Sequence, residues 1–168
     1  MQRNANLAEP LAARVIQRIN EADELCYRLA LLVAPSRAGK TRALQAVAER
    51  VGGSLINLNL ELSSRMLELT ERQRVLQLPQ LLSEVVDKSA GEVILLDNIE
   101  ILFDVSLRQD PLGLLQALSR NKVVVAAWNG SVINGQLIYG SPDHAEYKRY
   151  PVRDFIVISP EALDEGNN

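Results

Sequence analysis

Ala34-Pro35-Ser36-Arg37-Ala38-Gly39-Lys40-Thr41 follows the apolar run Leu29-Ala30-Leu31-Leu32-Val33 and precedes a helical pattern from Lys40 to Val51. Strand, loop, helix is the context that a phosphate-binding P-loop requires. In such a loop, backbone N–H groups converge on phosphate oxygens, and the helix N-terminus adds the positive end of its dipole. The expected contact set is Ala34, Pro35, Ser36, Arg37, Ala38, Gly39, Lys40, Thr41 and Arg42. Lys40 would neutralise the β/γ-phosphates, and the Thr41 hydroxyl would ligate Mg²⁺. One position departs from G-x-x-x-x-G-K-[ST]: the first glycine is Ala34. A methyl there limits positive φ but removes no N–H. A chance Gly-Lys-Thr at an ordinary helix start is the competing explanation, and both flanks argue against it.

Outward from this stretch, strands and helices alternate. Apolar residues Leu11, Val15, Ile19, Ala22 and Leu25 recur at helical spacing after Pro10, which suits a helix start, so residues 1–9 are expected to fray. Gly52-Gly53 closes the helix after the loop, and Ser54 to Leu60 reads as a second strand. In 61–78, Ser63 or Ser64 would cap a short turn, and Thr70-Glu71-Arg72-Gln73 resembles a capping box. Pro79 is expected to open a further helix ending near Gly91. Val93 to Leu96 is a buried strand ending in Asp97, and Asp110-Pro111 supplies an N-cap and first-turn proline for the next helix. Val123 to Ala127 makes another strand, ending at Trp128-Asn129-Gly130. Asn134-Gly135, between Val132-Ile133 and Leu137-Ile138-Tyr139, predicts a small β-hairpin. Ser141-Pro142-Asp143 would start a helical turn ending near Lys148, Phe155 to Ile158 is the last core strand, and Glu161 to Asn168 reads as a flexible tail. The pattern predicts one α/β domain over residues 1–168, three-layered around a mainly parallel five-stranded sheet, with a small hairpin insertion.

Three further positions extend the phosphate loop into a site. Asp97, at the C-terminal end of its strand, can hold Mg²⁺ together with Thr41. Glu100 lies three residues on, where one helical turn would bring it to the same side to polarise an attacking water; a surface charge is the alternative. Asn129 would face the γ-phosphate if its strand lies between those of the loop and Asp97; a turn residue in an Asn-Gly pair is the alternative. Arg149 and Arg153, and with them Arg120, are candidates to reach a neighbouring subunit's nucleotide, though surface arginines are common. His144, the sole histidine, indicates neither a metal site nor a triad.

Composition narrows the choice. With 168 residues and 47% hydrophobic content, one compact domain with a real core is expected, built from aliphatic residues because aromatics are only 4%. A net charge of -3 argues against bulk electrostatic binding of nucleic acid, although a local basic patch would still allow DNA contact. Cys26, the only cysteine, excludes an intramolecular disulfide and is expected to be buried. No apolar run approaches the length of a membrane span and no signal-peptide core is evident, so a cytoplasmic protein is the expectation.

Together the loop, Asp97, Asn129 and the two arginines resemble an AAA-type P-loop ATPase core. That resemblance implies ATP as ligand, Mg²⁺, and arginine fingers at Arg149 or Arg153 in a homo-oligomer. Two departures stand out: Asn98 rather than glutamate follows Asp97, and nothing after Ile158 can form a helical lid. Longer runs are similar to the BrxF family of small P-loop proteins from type 3 BREX bacteriophage-exclusion systems. They are Leu95 to Phe103, Asp110-Pro111-Leu112, Leu118-Ser119-Arg120-Asn121, Trp128-Asn129-Gly130 and Asp143 to Tyr150. This second resemblance implies a role in antiviral defence beside a DNA methyltransferase, a helicase and a phosphatase-like protein. A small-molecule or nucleotide kinase, and a binding module that uses ATP without hydrolysing it, are the alternatives.

Overall fold

The computed structural model describes residues 2–160, with side chains from Glu9 onward. Five parallel strands form the centre: β1 (Leu29–Ala34), β2 (Ser54–Asn57), β3 (Val93–Asp97), β4 (Val123–Ile133) and β7 (Ile156–Ile158), in the order β2-β3-β4-β1-β7. Two antiparallel strands, β5 (Gln136–Tyr139) and β6 (Lys148–Pro151), extend from β4. Every residue of β1 is buried, the pattern of a parallel strand covered on both faces. Alternation along the strands divides the apolar side chains between two cores. Ala30, Leu32, Leu95, Val125 and Ala127 meet helices α1 (Gln2–Ala22) and α2 (Lys40–Val51). Leu29, Leu31, Ile94, Leu96, Val124 and Trp128 meet α3 (Leu58–Met66), α4 (Glu71–Asp87) and α5 (Pro111–Leu118). Each fully buried leucine contributes about 1.5–3 kcal/mol, so this two-sided burial holds the central strands rigid beneath the loop.

Several boundaries differ from expectation, each for a local reason. α1 begins at Gln2 rather than Pro10, because proline forbids its own i−4 bond without preventing a turn before it. β2 stops at Asn57, whose side chain accepts from the Leu60 N–H at 3.1 Å and caps α3; Ser63 and Ser64 lie inside that helix. The expected capping box at Thr70 starts α4 eight residues before Pro79. The Val75 carbonyl, which Pro79 leaves without a helical donor, accepts instead from Gln109 Nε2 at 2.9 Å. Asp110 stands at the N-cap position of α5 without capping it, and its Oδ1 accepts from the Tyr150 hydroxyl at 2.7 Å. β4 runs on past Asn129 to Ile133, so the hairpin is a continuation of a core strand. The segment after Ser141 makes two tight turns and then enters β6 rather than a helix. Cys26 is exposed, in the turn before β1. The expected tail, 161–168, lies outside the described residues. Among the described residues, no helix is long and apolar enough to cross a membrane.

Candidate functional site

β1 ends at Ala34, and the chain turns through Pro35–Gly39 into α2. Arg37 at φ 65 and Gly39 at φ 90 make the turn. Gly39 stands at the N-cap with no side chain to cap, so the first N–H groups of α2 face the loop without a side-chain acceptor. Ala34 is still in the strand, in register with Asn129 and outside the positive-φ region, which is why a methyl is accommodated where the motif has glycine. Pro35, Ser36, Arg37, Thr41 and Arg42 are exposed, and Ala38 and Gly39 half-buried.

Lys40 is the exception in this open loop, at 6% exposure. Its Nζ donates to the carbonyls of Ala34 at 2.8 Å and Pro35 at 2.6 Å, and no carboxylate pairs with it among the described residues. Burial pushes the ammonium below its ordinary pKa, while Glu100 and then Asp97 act in the opposite sense. The first residue of α2 is therefore a desolvated cation facing its own loop. Next to it, Thr41 Oγ1 donates to Asp97 Oδ2 at 2.7 Å. The other oxygen of Asp97 accepts from the Asn98 N–H at 3.0 Å, and the residue is only 8% exposed.

β4 lies between β1 and β3, the order that brings Asn129 beside both the loop and the acid. Asn129 Nδ2 donates to Glu100 Oε1 at 2.5 Å. An α-helical turn does not align Glu100 with Asp97, as had been expected from their spacing. Asn98, at φ 53, breaks the chain direction, and Glu100 sits in the 3-10 segment Ile99–Phe103. The amide of Asn129 bonds it from β4. Neither a protein-family model, nor a curated protein, nor a solved structure matches this chain.

The donors available here are oxygens, the type that hard cations take. Among the described residues, no three His, Cys, Asp or Glu side chains cluster to hold an ion. A hydroxyl and one carboxylate suit Mg²⁺, which keeps several waters and uses one or two protein oxygens beside substrate phosphates. A cleft of about 450 Å³ opens on Glu100, walled by Asn59, Ser63, Asp104 and Glu146. A slightly larger cavity, about 490 Å³, lies between α4 and Arg108 and shares no residue with the loop.

The arginines are not gathered here. Arg149 on β6 and Arg153 before β7 are exposed, and no ion pair or hydrogen bond ties either to the loop, Asp97 or Glu100 among the described residues. Arg120 lies before β4, at the end of the sheet away from the loop, with its guanidinium 5.8 Å from the centre of the Tyr27 ring. Sequence reasoning missed an aromatic group beside the site. Phe103 stacks on Tyr139 at 3.6 Å, and Trp128 meets Phe103 edge-on at 5.1 Å. The signal was present, because a two-residue Asn134-Gly135 turn fixes the register and sets Tyr139 opposite Gly130, next to Asn129.

Proposed function

We propose that the chain binds Mg–ATP at Ala34–Arg42 and hydrolyses it, with turnover completed by a second copy or another protein. The observation that carries this is the 2.7 Å contact between Thr41 and Asp97 directly beside the buried, carbonyl-bound Lys40. It joins a phosphate-seeking loop to a carboxylate in the geometry a Mg-nucleotide site needs. When bound, Mg²⁺ would supply charge neutralisation to the phosphates. Lys40 would exchange its two carbonyl partners for phosphate oxygens, a charge-assisted bond for a neutral one. Thr41 and Asp97 would orient the metal's coordination shell. Glu100, presented by Asn129, would accept the hydrogen bond of the attacking water, and Asn129 would report on the γ-phosphate. Arg149 or Arg153 of a second copy would supply a further cation beside that of Lys40.

Membership in the BrxF family, and with it a role in phage exclusion, is proposed on the sequence runs alone; co-purification with a DNA methyltransferase, a helicase and a phosphatase-like protein tests it. A second reading, phosphoryl transfer to a small acceptor, is favoured by the cleft beside Glu100. Phosphate release measured across protein concentration, with and without DNA, separates the proposals. Acceptor-independent release that rises more than linearly with concentration, and disappears in Glu100→Gln while ATP still binds, supports completion in trans. Release only on adding an acceptor supports a kinase, and tight binding with no turnover supports a non-hydrolysing module. No detectable binding of ATP with Mg²⁺ would overturn all three.

A further inference from the structure

We infer that Tyr139 is a positioning residue for the Glu100–Asn129 pair. The two members of that pair come from separate segments, and the β3–β4 ladder does not reach them. Its last register pair is Leu96 with Ala126, three residues short of Asn129. Beyond it, Glu100 and Asn129 meet through one side-chain hydrogen bond, which by itself is too weak to fix both segments.

Tyr139 touches both sides of this gap. Its backbone pairs with Gly130, immediately after Asn129. Its ring lies against Phe103, the last residue of the 3-10 segment that carries Glu100, at 3.6 Å between centroids and 13° between planes. Phe103 is buried at 2% exposure, so the stack has a fixed base. β5 is in turn locked to β4 where Trp128 Nε1 donates to the Ile138 carbonyl at 3.1 Å. Gly130 makes this approach possible: a Cβ there would lie 2.0 Å from the Ile138 oxygen. Of the chain's seven aromatic residues, four (Phe103, Trp128, Tyr139 and Tyr150) form this one group, in a core whose other buried side chains are aliphatic apart from Phe155. Burial, with Glu100 and Glu146 adding to it, pushes the Tyr139 hydroxyl up to about 12. At neutral pH it is a phenol beside Glu100, not a like charge.

The hydrolytic role of Glu100 rests on the function proposed above, so the test has an arm that does not need it. The Asn129 side-chain amide is followed by ¹⁵N NMR in the wild type, in Tyr139→Phe and in Tyr139→Leu, with Glu100→Ala marking the position of the unbonded amide. Tyr139→Leu, which loses the stack, should move the Asn129 signals to the Glu100→Ala position. Tyr139→Phe, which keeps it, should leave them at the wild-type position. Phe103→Leu, which removes the stack from the other side, should repeat the Tyr139→Leu result if that variant folds poorly. In the kinetic arm, Tyr139→Leu should lower kcat roughly ten- to a hundredfold with ATP Kd unchanged, as expected for a misplaced group, and Tyr139→Phe should restore it. Asn129 signals unmoved in folded Tyr139→Leu or Phe103→Leu would overturn the inference. A wild-type chain that neither binds nor hydrolyses ATP would refute the proposed function, and the NMR arm would still decide the role of Tyr139.

Discussion

Replacing Lys40 by Met isolates the feature on which the proposed nucleotide binding depends. Methionine keeps the length of the buried stem and removes the ammonium, which now donates to the Ala34 and Pro35 carbonyls. Without ligand the change should be small, because the lost hydrogen bonds are offset by the desolvation of a cation that is only 6% exposed. With ligand it should be large, since removing one partner of a desolvated charged hydrogen bond costs about 2–5 kcal/mol. Two kcal/mol corresponds to roughly a thirtyfold weaker Kd. At an ATP concentration a hundred times the wild-type Kd, binding stabilises the fold by about 2.7 kcal/mol. For a domain of this size that raises Tm by roughly 5–11 °C. A thirtyfold weaker site under the same conditions keeps only about 0.9 kcal/mol, or roughly 2–4 °C. Calorimetric titration and thermal melting with Mg²⁺ and ATP read both quantities. A Lys40→Met chain with wild-type Kd and the full ATP-induced rise in Tm would refute the assignment of Lys40 and of the loop.

Asp97→Asn keeps an oxygen for the Asn98 N–H but removes the carboxylate; ATP affinity in EDTA should stay within about threefold, while the enhancement by Mg²⁺ is lost. The Lys40 pKa is lowered by burial from 10.5, so the ammonium loses its proton, and ATP affinity should fall, beginning below pH 10.5; Kd measured against pH should show this in the wild type and not in Lys40→Met. The same shift means that the unfolded chain holds the proton longer, so ligand-free stability should rise with pH across that window, as denaturant titrations at several pH values would show. Gly130→Ala places a Cβ 2.0 Å from the Ile138 oxygen and should lower unfolding free energy by about 1–3 kcal/mol, measured by urea denaturation. Asn98→Gly should preserve the fold, whereas Asn98→Val, a branched side chain at φ 53, should destabilise it by about 1–3 kcal/mol on the same assay.

How much of this was legible in sequence depended on how local the cause was. The loop, the Asp97 strand and the α2 cap at Gly52 could be read because each is set by residues within one turn or strand. The Thr70 capping box was legible for the same reason. Pro79 misled because its tolerance comes from Gln109, thirty-four residues from the Val75 carbonyl to which it donates. Asn57 was passed over because three apolar residues surround it in alternation, and the alternation that suggests a strand continues into α3. Leu60 shows the error: read as a strand residue, it lies 65% exposed on that helix. The strand order was an assumption from sequence and an observation in the fold. The bond between Glu100 and Asn129 depends on it and lay beyond any local pattern.

The position of Glu100 gives the site its particular logic. A glutamate directly after Asp97 would occupy position 98, where the backbone is left-handed at φ 53, a conformation that asparagine tolerates and longer side chains adopt at a cost. Asn98 fits that turn, and the carboxylate is delivered two residues later by a 3-10 segment. Delivered there, it lies beyond the end of the β3–β4 ladder and takes its partner from β4, the strand that also pairs along the whole of β1 up to Ala34. β4 therefore borders the loop at Ala34 and bonds Glu100 through the Asn129 amide. The two halves of the candidate site share one strand, and that strand continues without a break into the hairpin that ends on the molecular surface.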